Sequence, residues 1–160
     1  RLFHEPGDVI YVSTMADVVK DLERRQAFSL TSVNISNHGA GSGVVRIGDV
    51  EFRCFDLWLF TRRDPASLSA AELADMEEYR RGQAMFRLLG SRMSAGGELS
   101  LVSCGAGAGW SGKMLESQIQ DLIGPEMTLR TWDNVCTFYF GVPGPGVLKV
   151  LATPKGAQKK

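Results

Sequence analysis

The chain predicts an α/β domain built on a mostly parallel central sheet with helices on its faces, and three observations carry that prediction. Short β-branched or aromatic runs alternate along the sequence with stretches whose apolar residues recur at helical spacing. Glycine clusters fall where two of the extended runs end, in "SNHGAGSG" and "SCGAGAG". The length of 160 residues accommodates one substantial core and is too short for two ordinary ones.

Taken in order, "DVIYVS" (8–13) is the first strand and feeds "TMADVVKDLERR", where Met15, Val18, Val19 and Leu22 mark an amphipathic helix. "LTSVNIS" (30–36) is the second strand, with Leu30, Val33 and Ile35 alternating imperfectly with polar neighbours before the glycine-rich loop. "VVRIGDVEF" (44–52) forms a small hairpin around Gly48-Asp49, a turn-compatible pair.

A long helical pattern follows from Ser67, opened by Ser69 and Glu72 at capping-box spacing. Leu73, Met76, Met85, Phe86, Leu88 and Leu89 are expected to face the core and "EEYRR" to be solvated, with Gly82 bending or dividing the helix. After "SAGGE" an apolar strand runs to Cys104. The next helix carries a stripe of Leu115, Ile119, Leu122 and Ile123 and stops at Gly124-Pro125. "MTLRTWD", "VCTFYFGVP" and "VLKVLATP" are further strands. One domain over residues 1–154 and a disordered basic tail at 155–160 complete the expected organisation.

Composition excludes some functions. Eighteen basic and 18 acidic residues balance, so no field gathers nucleic acid or an anionic membrane, and no nucleic-acid or membrane partner is expected. No apolar run reaches the roughly 18 residues that a bilayer span requires. The start at Arg1 reads as that of a processed or excised fragment, which leaves upstream targeting illegible. Three cysteines cannot all pair, and none has metal or redox spacing. With two histidines in the chain, no metal site and no cofactor are expected.

Reactive residues concentrate in the two glycine-rich loops. Residues 107–114, "GAGWSGKM", match a phosphate-binding loop up to Met114, which stands where a magnesium-binding hydroxyl belongs, and the short chain after it disfavours that reading. The alternative is chemical. Cys104 ends an apolar strand beside glycines at the start of a helix, an environment that favours thiolate, and His38 ends another strand in a similar loop. A thiol and an imidazole from adjacent strand ends are the minimal set for thiol-dependent acyl transfer, whereas each alone is more often structural.

Gly39 and the Cys104 amide are candidate oxyanion donors, because glycine lets a substrate oxygen approach backbone N–H groups; shaping a turn is the plainer role. Trp110 lines a substrate pocket or lids the core. Cys54 lies among bulky apolar residues and Cys136 inside a strand, and both read as core.

"VNISNHGAGSGVVRIGD" and "ELSLVSCGAGAG", a strand ending in His-Gly and a later strand ending in Cys, resemble the signature of the caspase-like cysteine peptidases. That family includes gingipains, clostripain and the self-cleaving domains of large bacterial toxins. The likeness spans residues 8–135 and is greatest to the caspase-like domain of large bacterial surface and repeat proteins. It implies a three-layer sandwich and a cysteine endopeptidase (a hydrolase) with a Cys-His dyad, Cys104 as nucleophile, His38 as proton carrier, and Gly39 and Cys104 as oxyanion donors.

Asn37 stands where a serine is common before His-Gly and joins Trp110 as a candidate substrate-binding residue. The chain lacks the additional strands and loops that complete the side-chain pocket of larger peptidases. The implied partner is a protein or peptide substrate, including the parent chain in autoprocessing, within the bacterial cytoplasm or secreted as part of a larger protein. The alternative is a catalytically inactive binding or structural module on the same fold.

Overall fold

Three parallel strands organise the molecule. The computed structural model describes residues 12–37, 41–103, 105–132, 138–139, 142–143 and 148–150. Strand β1 (Leu30–Ser36) leads to the hairpin β2 (Val44–Ile47) and β3 (Val50–Arg53), and β4 (Met93–Val102) lies between β1 and β5 (Thr128–Trp132), parallel to both. The short pieces β6 (Phe138–Tyr139) and β7 (Val142–Pro143) pair with each other, while β8 (Leu148–Val150) runs antiparallel along β5. The main sheet therefore has the order β1-β4-β5-β8. The first expected strand falls largely outside the described residues, as do Cys136 and the tail at 155–160.

Register explains which face is buried. Val33, Leu99 and Leu129 align across the three parallel strands, as do Ile35, Leu101 and Thr131. Leu99, Leu101, Leu129 and Thr131 are fully buried. The alternate residues are Asn34, Ser100 and Arg130, preceded by Ser32, Glu98 and Thr128, so the opposite face is polar. Side chains alternate across a strand, and this sheet accordingly has one apolar and one hydrophilic side.

Four helices cover the apolar side: α1 (Met15–Arg24), α2 (Cys54–Arg62), α3 (Ala70–Arg92) and α4 (Gly109–Ile123). The steps from β1 to β4 and from β4 to β5 move in one direction across the sheet. Right-handed crossovers taken in one direction leave their helices on one face. The packing agrees, since α3 touches α1, α2 and α4, and α2 also touches α4. The described helices thus form one layer, with Met15, Leu22, Met85, Phe86, Leu89, Leu115, Ile119 and Ile123 meeting the leucines of the sheet in a single core cluster.

Local chemistry sets the helix starts. Ser69 and Glu72 make the expected capping box, and Thr14 with Asp17 makes a second one at the head of α1, at the same spacing. The hairpin turns at Gly48-Asp49, with Gly48 at φ +60° in the first central position of a type II′ turn. Asp49 Oδ1 accepts a hydrogen bond of 2.8 Å from the Met15 amide and so ties the turn to α1.

Several expectations need correction. Gly82 does not divide α3, which runs unbroken; a side chain there would collide with the Phe52 ring, so glycine serves close approach. Phe52 stacks on Tyr79 at 4.9 Å and meets Phe86 edge-on at 5.3 Å. Tyr79, inside the charged run read as solvated, is therefore buried, while Leu73 is exposed. Helix α2 was not legible as a helix: its "CFDLWLFTR" is apolar on most sides and lacks a helical stripe.

Candidate functional site

The C-terminal ends of β1 and β4 lie side by side. Ser36 aligns with Val102, and the Asn37 amide extends the ladder with a 3.2 Å hydrogen bond to the Val102 carbonyl. His38 follows Ser36 by two positions and Cys104 follows Val102 by two, so neighbouring strands deliver the chain to both. His38, Gly39 and Cys104 themselves lie outside the described residues, and the structure speaks to them through the residues on either side.

Downstream of those positions the two loops are joined. The Gly43 amide donates to the Ala106 carbonyl at 3.0 Å, and the Ser42 hydroxyl donates to the Ala108 carbonyl and lies 2.6 Å from the Ser111 hydroxyl. The Gly43 carbonyl accepts from the Cys54 amide at 3.0 Å. A two-residue segment, Ser42-Gly43, thereby ties the loop after β1 to the loop after β4 and to the first turns of both α2 and α4. Sequence reading gave no role to Ser42 or Ser111; hydroxyls in a glycine-rich loop are common, and only the fold shows that these two meet.

The loop after Cys104 is compact and anchored from below. The Ala106 amide donates to the Ser103 carbonyl at 3.2 Å and the Ala108 amide to the Gly105 carbonyl at 2.9 Å. Gly107 is pressed against Thr131 of β5 and Glu116 of α4: an added Cβ would collide with Thr131 Oγ1 and lie 2.6 Å from Glu116 Oε1. Thr131 Oγ1 donates to Glu116 Oε1 at 2.7 Å in a buried pair. Glu116 precedes Ile119 by three positions and Ile123 by seven, which places it at the edge of the apolar stripe, but nothing in the sequence marks a carboxyl there as buried.

This packing disposes of the phosphate-loop reading. Residues 109–112 are the first turn of α4 and not an open cradle, Gly112 packs on the Gly107 backbone, and Gly107 itself is pressed against Thr131 and the buried Glu116 carboxyl. Lys113 is exposed.

Polar groups next to the strand ends have uncommitted hydrogen-bonding capacity. Among the described residues, the buried Asn37 side-chain atoms, both Oδ1 and Nδ2, and the buried Ser103 hydroxyl have no hydrogen-bond partner. Asn37 and Ser103 continue the Ser36–Val102 register, one residue before His38 and one before Cys104. Buried polar atoms are nearly always paired, with protein or with ordered water. At the α4 N-terminus the cap residue Ala108 makes no side-chain bond to the first-turn backbone N–H groups.

The remaining residues sort clearly. Cys54 is fully buried at the head of α2, and burial pushes its thiol pKa up, as expected of an inert core thiol. Trp110 is 67% exposed and touches Phe55, itself 50% exposed, with ring centroids 5.9 Å apart. It therefore does not lid the core. Asp56 has its carboxyl pushed up to about 6, first by burial and then by Asp75 and Glu78, against the pull of Arg53.

Among the described residues no group of three or more His, Cys, Asp or Glu side chains is placed to hold a metal, and no helix is long and apolar enough to cross a membrane. Comparison of the chain with protein-family models, with curated proteins and with solved structures gives no match in any of the three.

Proposed function

We propose that the chain is a caspase-like cysteine endopeptidase domain, residues 1–154, in which Cys104 and His38 form the dyad and the substrate is a protein or peptide, including the parent chain of a larger bacterial protein. One observation carries the reading: β1 and β4 are adjacent and parallel, and their following loops are bonded to each other through Ser42-Gly43. The three-layer sandwich is the finer architecture that goes with this proposal, and the described helices supply one of its layers.

The chemistry follows from the residue types. His38 accepts the Cys104 proton, and the thiolate attacks the scissile carbonyl, forming a carbon–sulfur bond while the carbonyl electrons move onto oxygen. The Gly39 and Cys104 amides donate to that oxyanion. Collapse expels the amine, which takes the proton from the His38 imidazolium and leaves a thioester. Water, deprotonated by His38, hydrolyses the thioester, and the thiol is restored. Trp110 and Asn37 contact the peptide.

The test compares wild type with Cys104→Ala and His38→Ala on peptide libraries and on the parent protein. Cleavage by wild type and a loss of at least about 1000-fold in each variant supports the dyad. Equal cleavage by all three removes Cys104 from the mechanism, and no cleavage by wild type leaves the inactive binding module as the function of the fold.

A further inference from the structure

We infer that Phe55 and Trp110 together form a side-chain subsite that takes a large apolar residue of the bound peptide. The inference rests on the peptidase reading for the identity of the ligand as a peptide and adds the class of side chain that the site selects. Both rings stand in solvent, at 50% and 67% exposure, and touch each other at 5.9 Å with their planes 49° apart. Exposed aromatic pairs gain on being covered, because their apolar area is then removed from water.

Their position ties them to the two loops. Phe55 follows Cys54, whose amide is held by the Gly43 carbonyl, and Trp110 precedes Ser111, whose hydroxyl is held by Ser42. The Ser42-Gly43 segment that joins the loops after β1 and β4 therefore also holds the backbone next to Phe55 and the side chain next to Trp110. The pair therefore borders the loops that follow β1 and β4.

Charge narrows the occupant. Lys113 is one turn along α4 from Trp110, on the same side of the helix, and is exposed. Its ammonium disfavours an arginine or lysine over the rings, although the rings alone would welcome a cation. Met114, the next neighbour of Trp110 on that side, is half-buried against the core and extends the apolar strip. An aromatic or large aliphatic side chain fits this surface.

The experiment separates binding from cleavage. Fluorescent hexapeptide libraries with one position fixed in turn as Phe, Leu, Lys, Asp or Gly are titrated against the Cys104→Ala protein, while product formation by the wild-type protein is read separately. Preference for Phe or Leu at one position is expected. It falls about tenfold in Phe55→Ala and Trp110→Ala and persists in Trp110→Phe, with melting temperatures confirming the fold. Binding without preference, preference for Lys, preference unchanged in both alanine variants, or no binding overturns the subsite. Absence of product with an intact apolar preference overturns the peptidase reading alone.

Discussion

Single residues decide how the loop behind Cys104 is held. Gly107 has no room for a methyl group between Thr131 and Glu116, so Gly107→Ala is expected to lower stability by about 2 kcal/mol in urea unfolding and to slow Cys104 alkylation. An unchanged midpoint would show that the loop yields freely. Phe28 poses the opposite case: it sits at φ +58° with its ring 69% exposed, so the strained backbone is offset by little packing. Phe28→Gly is expected to stabilise by about 0.5 kcal/mol, since the relief exceeds the added freedom of the unfolded chain only slightly. Residue roles of this kind were partly legible. Burial of Cys54 followed from its apolar neighbours, whereas Gly107 read as a turn or phosphate-loop glycine because the side chains that crowd it come from elsewhere in the chain.

At the scale of elements, local signals were the dependable ones. Leu30–Ser36, the two-residue hairpin turn, the capping box at Ser69 and the stop at Gly124 all reside in a few consecutive residues and were found. Helix α2 was missed because its residues are held by contacts with α3 and α4, and nothing local announces it. One pH dependence belongs to this helix. Burial of Asp56 on α2 raises its folded pKa to about 6, above the ordinary carboxylate value of 3.8, so the folded state holds this proton more tightly than the unfolded one. Its contribution favours the fold below the ordinary carboxylate value and is lost as pH rises from there through about 6. Asp56→Asn is expected to remove that slope and to stabilise at neutral pH by about 1 kcal/mol or less, a figure reduced for solvent screening of a group that is partly exposed. Denaturant midpoints across this range check it; a variant that keeps the wild-type slope would assign the proton elsewhere.

For the whole molecule, the alternation of strands and helices was enough to read an α/β class with parallel pairing, and the order β1-β4-β5 agrees with it. What sequence could not give was direction: both crossovers step the same way, which gathers the described helices on one face and leaves Asn34, Ser100 and Arg130 on the other. The candidate site was legible as two loops at strand ends, because glycine clusters mark such loops. Its tether through Ser42-Gly43, the burial of the Asn37 and Ser103 polar atoms and the pairing of Phe55 with Trp110 were not, because each depends on residues distant in sequence meeting in space.

A peptide library carrying an acyloxymethyl ketone warhead, with the adduct located by mass spectrometry, tests the central assignment most directly. Modification of Cys104, with Cys54 and Cys136 unmodified and the reaction suppressed in His38→Ala, is the expected result. An adduct on Cys54 or Cys136, or labelling of Cys104 indifferent to His38, would contradict it.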